Sequence, residues 1–265
     1  MTTIALTIAG SDPSGGAGIQ ADLKTFSALG AYGMSVITAL TAQSTQGVDA
    51  VLAISPEFIE AQFNTLYQDI QIDSVKMGML MNKEIVTTVH HLLKTNPIPA
   101  IVLDTVMVAK GGHPLLLKSD AVTAIRELLL PLATIITPNL PESAALLDCD
   151  EAKTEDEMQK QGHELLKLGC KAVLMKGGHL PSNESPDYLI TPNNTVKITA
   201  PRIQTKNTHG TGCTLSAAIA ALLPKNSLPD AIAQAKNYLH DAISHANDLN
   251  IGKGIGPTHH FYQWW

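Results

Sequence analysis

The amino-acid sequence predicts an α/β fold: a mostly parallel central sheet with helices on both faces, in a single domain over residues 1–265. Three observations predict it. Apolar β-type runs alternate with helical patterns almost throughout, which is how successive βαβ units read. The segment Ala100 to Val108 is the most continuous apolar run and suits a strand buried on both faces. Segments between a strand and the next helix are rich in Gly or polar residues, where open parallel sheets hold their ligands.

Ile4 to Ala9 reads as the first strand, followed by Ile19, Leu23 and Phe26 at helical spacing. Ser35 to Ala42 reads as a second strand. Ser55 and Pro56 form an N-cap and first-turn pair for a helix whose apolar face is Ile59, Phe63, Leu66 and Ile70. Ser74 to Met79 is strand-like, and Ile85, Val89 and Leu92 are helix-like. After the Ala100 strand, Val122, Ile125 and Leu129 give a helix and Thr134 to Thr137 a strand. Thr154 with Glu157 has the spacing of a capping box. Ala172 to Met175 is a strand running into Gly177-Gly178, and Leu228, Ile232, Leu239 and Ile243 mark a long final helix. There is no internal repeat. The polar stretch Leu180 to Pro186 is too short for an interdomain linker and reads as a surface loop.

At roughly 150 residues per domain, 265 residues allow one or two domains. Hydrophobic residues make up 45% and charged residues 16%, enough for a large core and against disorder. With 18 Lys+Arg against 24 Asp+Glu, the formal charge of −6 argues against a duplex nucleic-acid binder, which needs a cationic face. No apolar run approaches the ~20 residues that span a bilayer. The start Met1-Thr2-Thr3-Ile4 lacks a cationic leader, so no signal peptide and no membrane association are expected. Cys149, Cys170 and Cys213 are an odd set without metal-ligand spacing, which suits a reducing cytoplasm.

The strand-end segments are Gly10 to Gly18, Gln43 to Gly47, Met77 to Leu80, Asp104 to Gly112, Thr137 to Glu142 and the turn around Lys176. A further segment, Asn207-Thr208-His209-Gly210-Thr211-Gly212-Cys213-Thr214, precedes a small-residue helical run. A Gly-X-Gly turn opening a helix aims backbone N–H groups at one point, which suits phosphate; it is equally a plain helix entry. Cys213 at that start is expected to have its pKa lowered by the helix dipole and to serve as a thiolate base, or else to be a small packing residue. The segment Gly10 to Gly18 matches neither the P-loop nor the Rossmann register, and its glycines let a flat ligand approach the backbone or form a flexible loop. Asp104, Asn139 and Glu142 carry the oxygen ligands that Mg²⁺ prefers, or cap the following helix. Lys176 can reach a polyphosphate. His90-His91 and His259-His260 lack the spacing of two ligands on one helix face. The tail Phe261-Tyr262-Gln263-Trp264-Trp265 is expected to pack on the body or on a partner subunit. Together, these strand ends describe a site holding a flat small molecule against a nucleotide polyphosphate.

The sequence resembles the hydroxymethylpyrimidine/phosphomethylpyrimidine kinases of thiamine biosynthesis, within the ribokinase superfamily, over essentially its whole length. The residues that carry the resemblance are the opening at 10–22, Thr38-Ala39-Leu40-Thr41-Ala42-Gln43 and Val75-Lys76-Met77-Gly78-Met79-Leu80. With them go Val106-Met107-Val108-Ala109-Lys110, Thr137-Pro138-Asn139 with Glu142, Lys176-Gly177-Gly178-His179 and the 207–214 turn. Many sugar kinases of the superfamily have Asp where this chain has Cys213.

The resemblance implies a ribokinase-like kinase using ATP and Mg²⁺. It makes Cys213 the base for the substrate hydroxymethyl group and Gly210, Thr211 and Gly212 the anion hole. It places the pyrimidine near Gly10, Ala17, Gln43, Met79 and Val106, with Ser11, Gly18, Ser44, Leu80 and Met107 one register away. Lys176, Asn139 and Thr208 would bind ATP, Glu142 and Asp104 would serve the metal, and a cytoplasmic homodimer is expected. Similar proteins commonly have Asp-Pro-Val-Met where this chain has Asp104-Thr105-Val106-Met107; without the proline the turn is expected to loosen. The rival readings are a pyridoxal kinase of the same fold and a catalytically silent pyrimidine-binding protein.

Overall fold

A computed structural model describes residues 1–107, 119–181 and 183–265. Val108, Ala109, Lys110 and Gly112 therefore lie outside the described residues. The strands of the main sheet are β1 (Thr3–Ala9), β2 (Ala31–Ile37), β5 (Ser74–Met77), β6 (Ala100–Leu103), β7 (Ile135–Ile136), β8 (Val173–Lys176), β9 (Asp187–Thr191) and β10 (Asn194–Ile198). They lie in the order β10-β9-β8-β7-β6-β5-β1-β2. From β2 to β8 all neighbours are parallel, and β9 and β10 add an antiparallel edge.

Alternation along the buried strands sorts side chains into two layers. Leu6, Ile8, Val75, Met77, Ile101, Leu103, Val173 and Met175 face one core, with α2 (Pro56–Tyr67), α3 (Lys83–Thr95) and α6 (Glu155–Leu166). Ala5, Val102, Ile135 and Leu174 face the other, with α1 (Gly18–Ala28), α7 (Thr211–Leu222) and α8 (Leu228–Ser244). Helices thus cover both faces, as expected. α7 is nearly all small residues on its packed side, which lets it lie close against α1 and the sheet.

Several boundaries differ from the sequence reading, each for a local reason. Ser35 to Ala42 is not one strand. Buried Thr38 breaks it, donating its hydroxyl to the Met79 carbonyl (2.7 Å) and its N–H to the Ala9 carbonyl. Beyond that corner β3 (Ala39–Ser44) leaves the sheet and pairs with β4 (Gly47–Ala53) in a separate hairpin. The Ala100 strand stops at Leu103, because Asp104 begins the turn toward the site. The helix through Val122 is α4 (Ser119–Ala124), continued by a widened turn at 125–129 and a tight one at 130–132. Thr154 caps Glu157 N–H, but the Glu157 carboxylate reaches back to Lys153 N–H rather than closing the box on Thr154. The tail packs on the body through Tyr262 against His245 and Trp265 against His259, leaving Trp264 and Trp265 mostly exposed.

Candidate active site

A cavity of about 810 Å³ opens at the carboxyl ends of the parallel strands. Its centre is the start of α7. Gly210 caps that helix with φ +80, in the left-handed region where a Cβ is costly. The turn also passes so close to the first loop that a Cβ on Gly210 would lie 1.7 Å from the Gly16 carbonyl oxygen. Helix geometry leaves the N–H groups of Thr211, Gly212 and Cys213 without partners inside α7, so they converge on the cavity. Ser216, one turn later, donates to Asp104 Oδ2 (3.1 Å) and ties α7 to the end of β6.

Cys213 lines the cavity at that helix start. Its thiol does not behave as the dipole argument expects. Burial pushes it up to about 11, with Asp22 and Asp104 adding to the push while Lys76 and the Gly18 N–H pull it down. At neutral pH that favours the thiol over the thiolate.

The first loop is held by Asp12. Its carboxylate accepts Ser14 N–H and hydroxyl, Gly16 N–H, Ala17 N–H (2.8 Å) and His209 Nε2 (2.8 Å). Burial opposes the charge, but the hydrogen bonds from His209 and Ser14 win and hold Asp12 down at about 2. This clasp joins residues far apart in sequence and sets the floor of the cavity. Gln43, on β3, accepts the Thr41 hydroxyl (3.3 Å) and lies 3.3 Å from the same His209 nitrogen.

Also in the cavity lining, Lys176 Nζ lies 3.4 Å from Asp104 Oδ1 and 3.9 Å from Glu142 Oε2. Burial works against its charge, yet Asp104 and Glu142 hold it above the usual lysine range. Glu142 does what the capping alternative required: Asn139 accepts Glu142 N–H while Glu142 Oε2 accepts Asn139 N–H (2.9 Å), a closed capping box opening α5 (Leu140–Leu147). Thr105 also donates to Glu142 Oε2 (3.0 Å). The proline's replacement therefore adds a tether rather than simply loosening the turn. Burial and Asp104 push the Glu142 carboxyl up, against Lys176. Asp104 is engaged by Thr137, Lys176 and Ser216. Among the described residues no group of three or more His, Cys, Asp or Glu forms a ready metal cage. The hard oxygens of Glu142 beside an ordered Lys still suit an ion that keeps most of its waters.

The fold brings nearly every predicted site residue to this cavity: Gly10, Ser11, Ala17, Gly18, Gln43, Met79, Asp104, Val106, Met107, Asn139, Glu142, Lys176, Thr208, Gly210, Thr211, Gly212 and Cys213. Two neighbours stay outside. Ser44 alternates to the outer face of β3, where it is exposed and accepts Gln46 N–H. Leu80 turns into the core. The sequence reading gave no role to Asp12, His209, Lys76, Asp187, Lys236 or Arg202, all of which line the cavity. Asp12 carried a local signal, since Asp followed by Pro and Ser favours an Asx turn. His209 and Lys76 lie inside segments the sequence singles out, the 207–214 turn and the 75–80 segment, whereas Asp187, Lys236 and Arg202 carry no signal.

No helix of the described residues is long and apolar enough to cross a membrane. The sequence pattern of the family described as phosphomethylpyrimidine kinase matches residues 12–259. The chain is 58% identical over 262 residues to the hydroxymethylpyrimidine/phosphomethylpyrimidine kinase of Escherichia coli strain K12, covering 98% of each. Among solved structures it is similar to an ADP complex of Bacillus subtilis pyridoxal kinase, with TM-score 0.90, 36% identity and 98% of each chain covered. It is also similar to a phosphomethylpyrimidine kinase of Clostridium difficile, with TM-score 0.81 and 43% identity over 91% of this chain and 100% of that one.

Proposed function

The chain belongs to the phosphomethylpyrimidine kinase family and is a phosphotransferase, and from that premise we propose its reaction: ATP-dependent phosphorylation of 4-amino-5-hydroxymethyl-2-methylpyrimidine, then of the monophosphate to the diphosphate, in thiamine biosynthesis. Residues 1–265 act as one kinase domain, in the cytoplasm. The observation that carries the reading is one cavity lined by a cysteine at a helix start, a lysine paired with two carboxylates and the amide of Gln43. Phosphoryl transfer needs positioning and charge stabilisation more than covalent help, and these groups supply both.

Each residue has a role in that scheme. Gln43 reads the ring's polar edge, with Gly10, Ala17, Met79 and Val106 against its faces and Ser11, Gly18 and Met107 beside them. Cys213, as thiolate, takes the hydroxymethyl proton; the oxygen then bonds to the terminal phosphorus as the bond to the leaving diphosphate breaks. The N–H groups of Thr211, Gly212 and Cys213, opened by Gly210, hold the charge that develops on the transferring group. Lys176 contacts the nucleotide phosphates, with Asn139 and Thr208 beside it. Mg²⁺ would be held through Glu142 and waters, with Asp104 lending charge from behind, and when bound it neutralises phosphate charge. A homodimer is supported by the exposed Leu40 and Leu52, paired across the β3–β4 hairpin.

Glu142→Ala is expected to raise the Mg²⁺ concentration needed for half-maximal rate and to reduce turnover, leaving pyrimidine affinity in place. It also removes the return half of the capping box, from Asn139 N–H to the Glu142 carboxylate, seen as a lower thermal midpoint. Lost pyrimidine affinity with unchanged Mg²⁺ dependence would leave Glu142 a capping residue only.

The second reading is a pyridoxal kinase, favoured by the close likeness to that solved structure. Both substrates offer a primary alcohol on a flat ring, so discrimination must come from the ring's polar edge. An amide that pairs with an amino donor and a ring nitrogen rejects analogues that leave it unpaired once they cover it, whereas shape alone is worth only ~1–3 kcal/mol. Wild type is expected to prefer the pyrimidine in kcat/KM, and Gln43→Met to narrow the preference mainly by weakening the pyrimidine. An unchanged ratio would clear Gln43 of the reading role; a wild-type preference for pyridoxal would favour the second reading.

A further inference from the structure

One buried charge lies against the site without a part in the scheme above. Lys76, on β5, is fully buried. Alternation along β5 turns Ser74 and Lys76 toward the layer of α1 and α7, the opposite side from Val75 and Met77. There Lys76 Nζ is 2.9 Å from both oxygens of Asp22 on α1, and Thr7 donates to Asp22 Oδ2 (2.6 Å). Lys76 also lines the wall of the cavity that Cys213 lines. Burial of Lys76 opposes its charge, but Asp22, and after it Cys213, hold the ammonium above the usual lysine range.

A buried ion pair of this kind is weak evidence for stability, because desolvating both ions offsets most of their attraction. Its place suggests a different use. The groups whose charge or hydrogen bond acts on the Cys213 thiol are Asp22 and the Gly18 N–H from α1, Lys76 from β5 and Asp104 after β6. Lys176, from β8, faces the adjoining Gly212. Of these, Lys76 is the cation that acts on the thiol, and Asp22 and Asp104 act against it. We propose that Lys76 is a positioning residue for the transfer: its buried ammonium compensates the negative charge that Cys213 carries while it removes the substrate proton. Asp22 fixes Lys76 in the wall of that cavity through their ion pair and limits how much of that charge the sulfur feels.

The inference rests on Cys213 being the base. In the step, the substrate O–H bond breaks, an S–H bond forms on Cys213, and the alkoxide oxygen bonds to phosphorus. Lys76 exchanges no proton; it stays an ammonium ion throughout. It makes the thiolate accessible in a site where burial otherwise favours the thiol.

The test separates this electrostatic role from packing because the two partners act with opposite sign. In a Cys149→Ser background, which removes the exposed thiol, alkylation of Cys213 by iodoacetamide is followed from pH 6 to pH 10; Cys170 is buried, whereas Cys213 is only half-buried. Lys76→Met is expected to slow alkylation at pH 8 by about tenfold, the effect of one pKa unit. It is also expected to move the acid limb of the kcat profile upward. Asp22→Asn keeps the bond from Thr7 and is expected to move both readouts the other way. Unchanged alkylation in Lys76→Met, or slowing in both variants alike, overturns the proposal. If Lys76→Met does not fold, Asp22→Asn decides alone: faster alkylation upholds the proposal, while slower or unchanged alkylation overturns it. Full activity in Cys213→Ala would instead remove the base reading, and the alkylation shifts would still report whether Lys76 acts on the thiol.

Discussion

Cys213→Ala is expected to cut the first phosphorylation by about 10²–10⁴, the usual contribution of a positioned general base, while leaving the fold intact. Alanine fits the α7 start, where neighbouring residues are already small. The second phosphorylation is expected to suffer far less. There the nucleophile is a phosphate oxygen, and a phosphomonoester whose second pKa is about 6 is already anionic at pH 8. It has no proton for Cys213 to remove, and it still needs the N–H groups of α7. The pH dependence separates the steps further. Because burial puts the Cys213 thiol up at about 11, its thiolate fraction rises with pH through 7–9. The wild-type first step should rise with it, and the alanine variant should lose that slope. Single-turnover rates with each substrate, at several pH values, make the measurement. Equal losses in both steps would mean that Cys213 matters for binding or packing rather than for proton removal.

Gly210→Ala is expected to be as damaging by a different route. The residue sits at φ +80, which costs an ordinary side chain about 1–2 kcal/mol, and its Cβ would lie 1.7 Å from the Gly16 carbonyl oxygen. One of the two segments must move. If the turn moves, the Thr211 and Gly212 N–H groups leave the line they hold. Losing a single such donor costs about 10²–10³ in kcat. If the first loop moves instead, Gly16 shifts along with the Asp12–His209 clasp, and ring binding weakens. Turnover of both substrates should fall together, with a lowered thermal midpoint, unlike the one-sided loss in Cys213→Ala. A near-normal kcat in a stable Gly210→Ala protein would exclude the turn from the transfer.

Much of the site was legible because it is local. The 207–214 turn, Asn139 with Glu142, and Lys176 before two glycines are short patterns whose backbone consequences follow from the residues themselves. Gln43 was legible only to within a register, since a β-hairpin presents alternate residues inward; pairing with β4 turned Gln43 to the cavity and Ser44 away. The thiol's chemistry was misread for a related reason. A helix start lowers a cysteine's pKa in the open, but here burial outweighs it, and burial is not visible along a sequence.

The class of fold, the succession of strands and helices, and the phosphate-type turn at α7 follow from local pattern, because periodicity, caps and glycine chemistry act over a few residues. The clasp of Asp12 on His209 across 197 positions, and the corner at which Thr38 turns a strand out of the sheet, arise only in the folded chain. The folded chain also pairs Lys76 of β5 with Asp22 of α1. Those placements depend on β5 lying beside β1 and on α1 lying against α7. Strand order and helix packing are settled by burying both sheet faces at once, and no local pattern encodes which distant side chains then share one buried space.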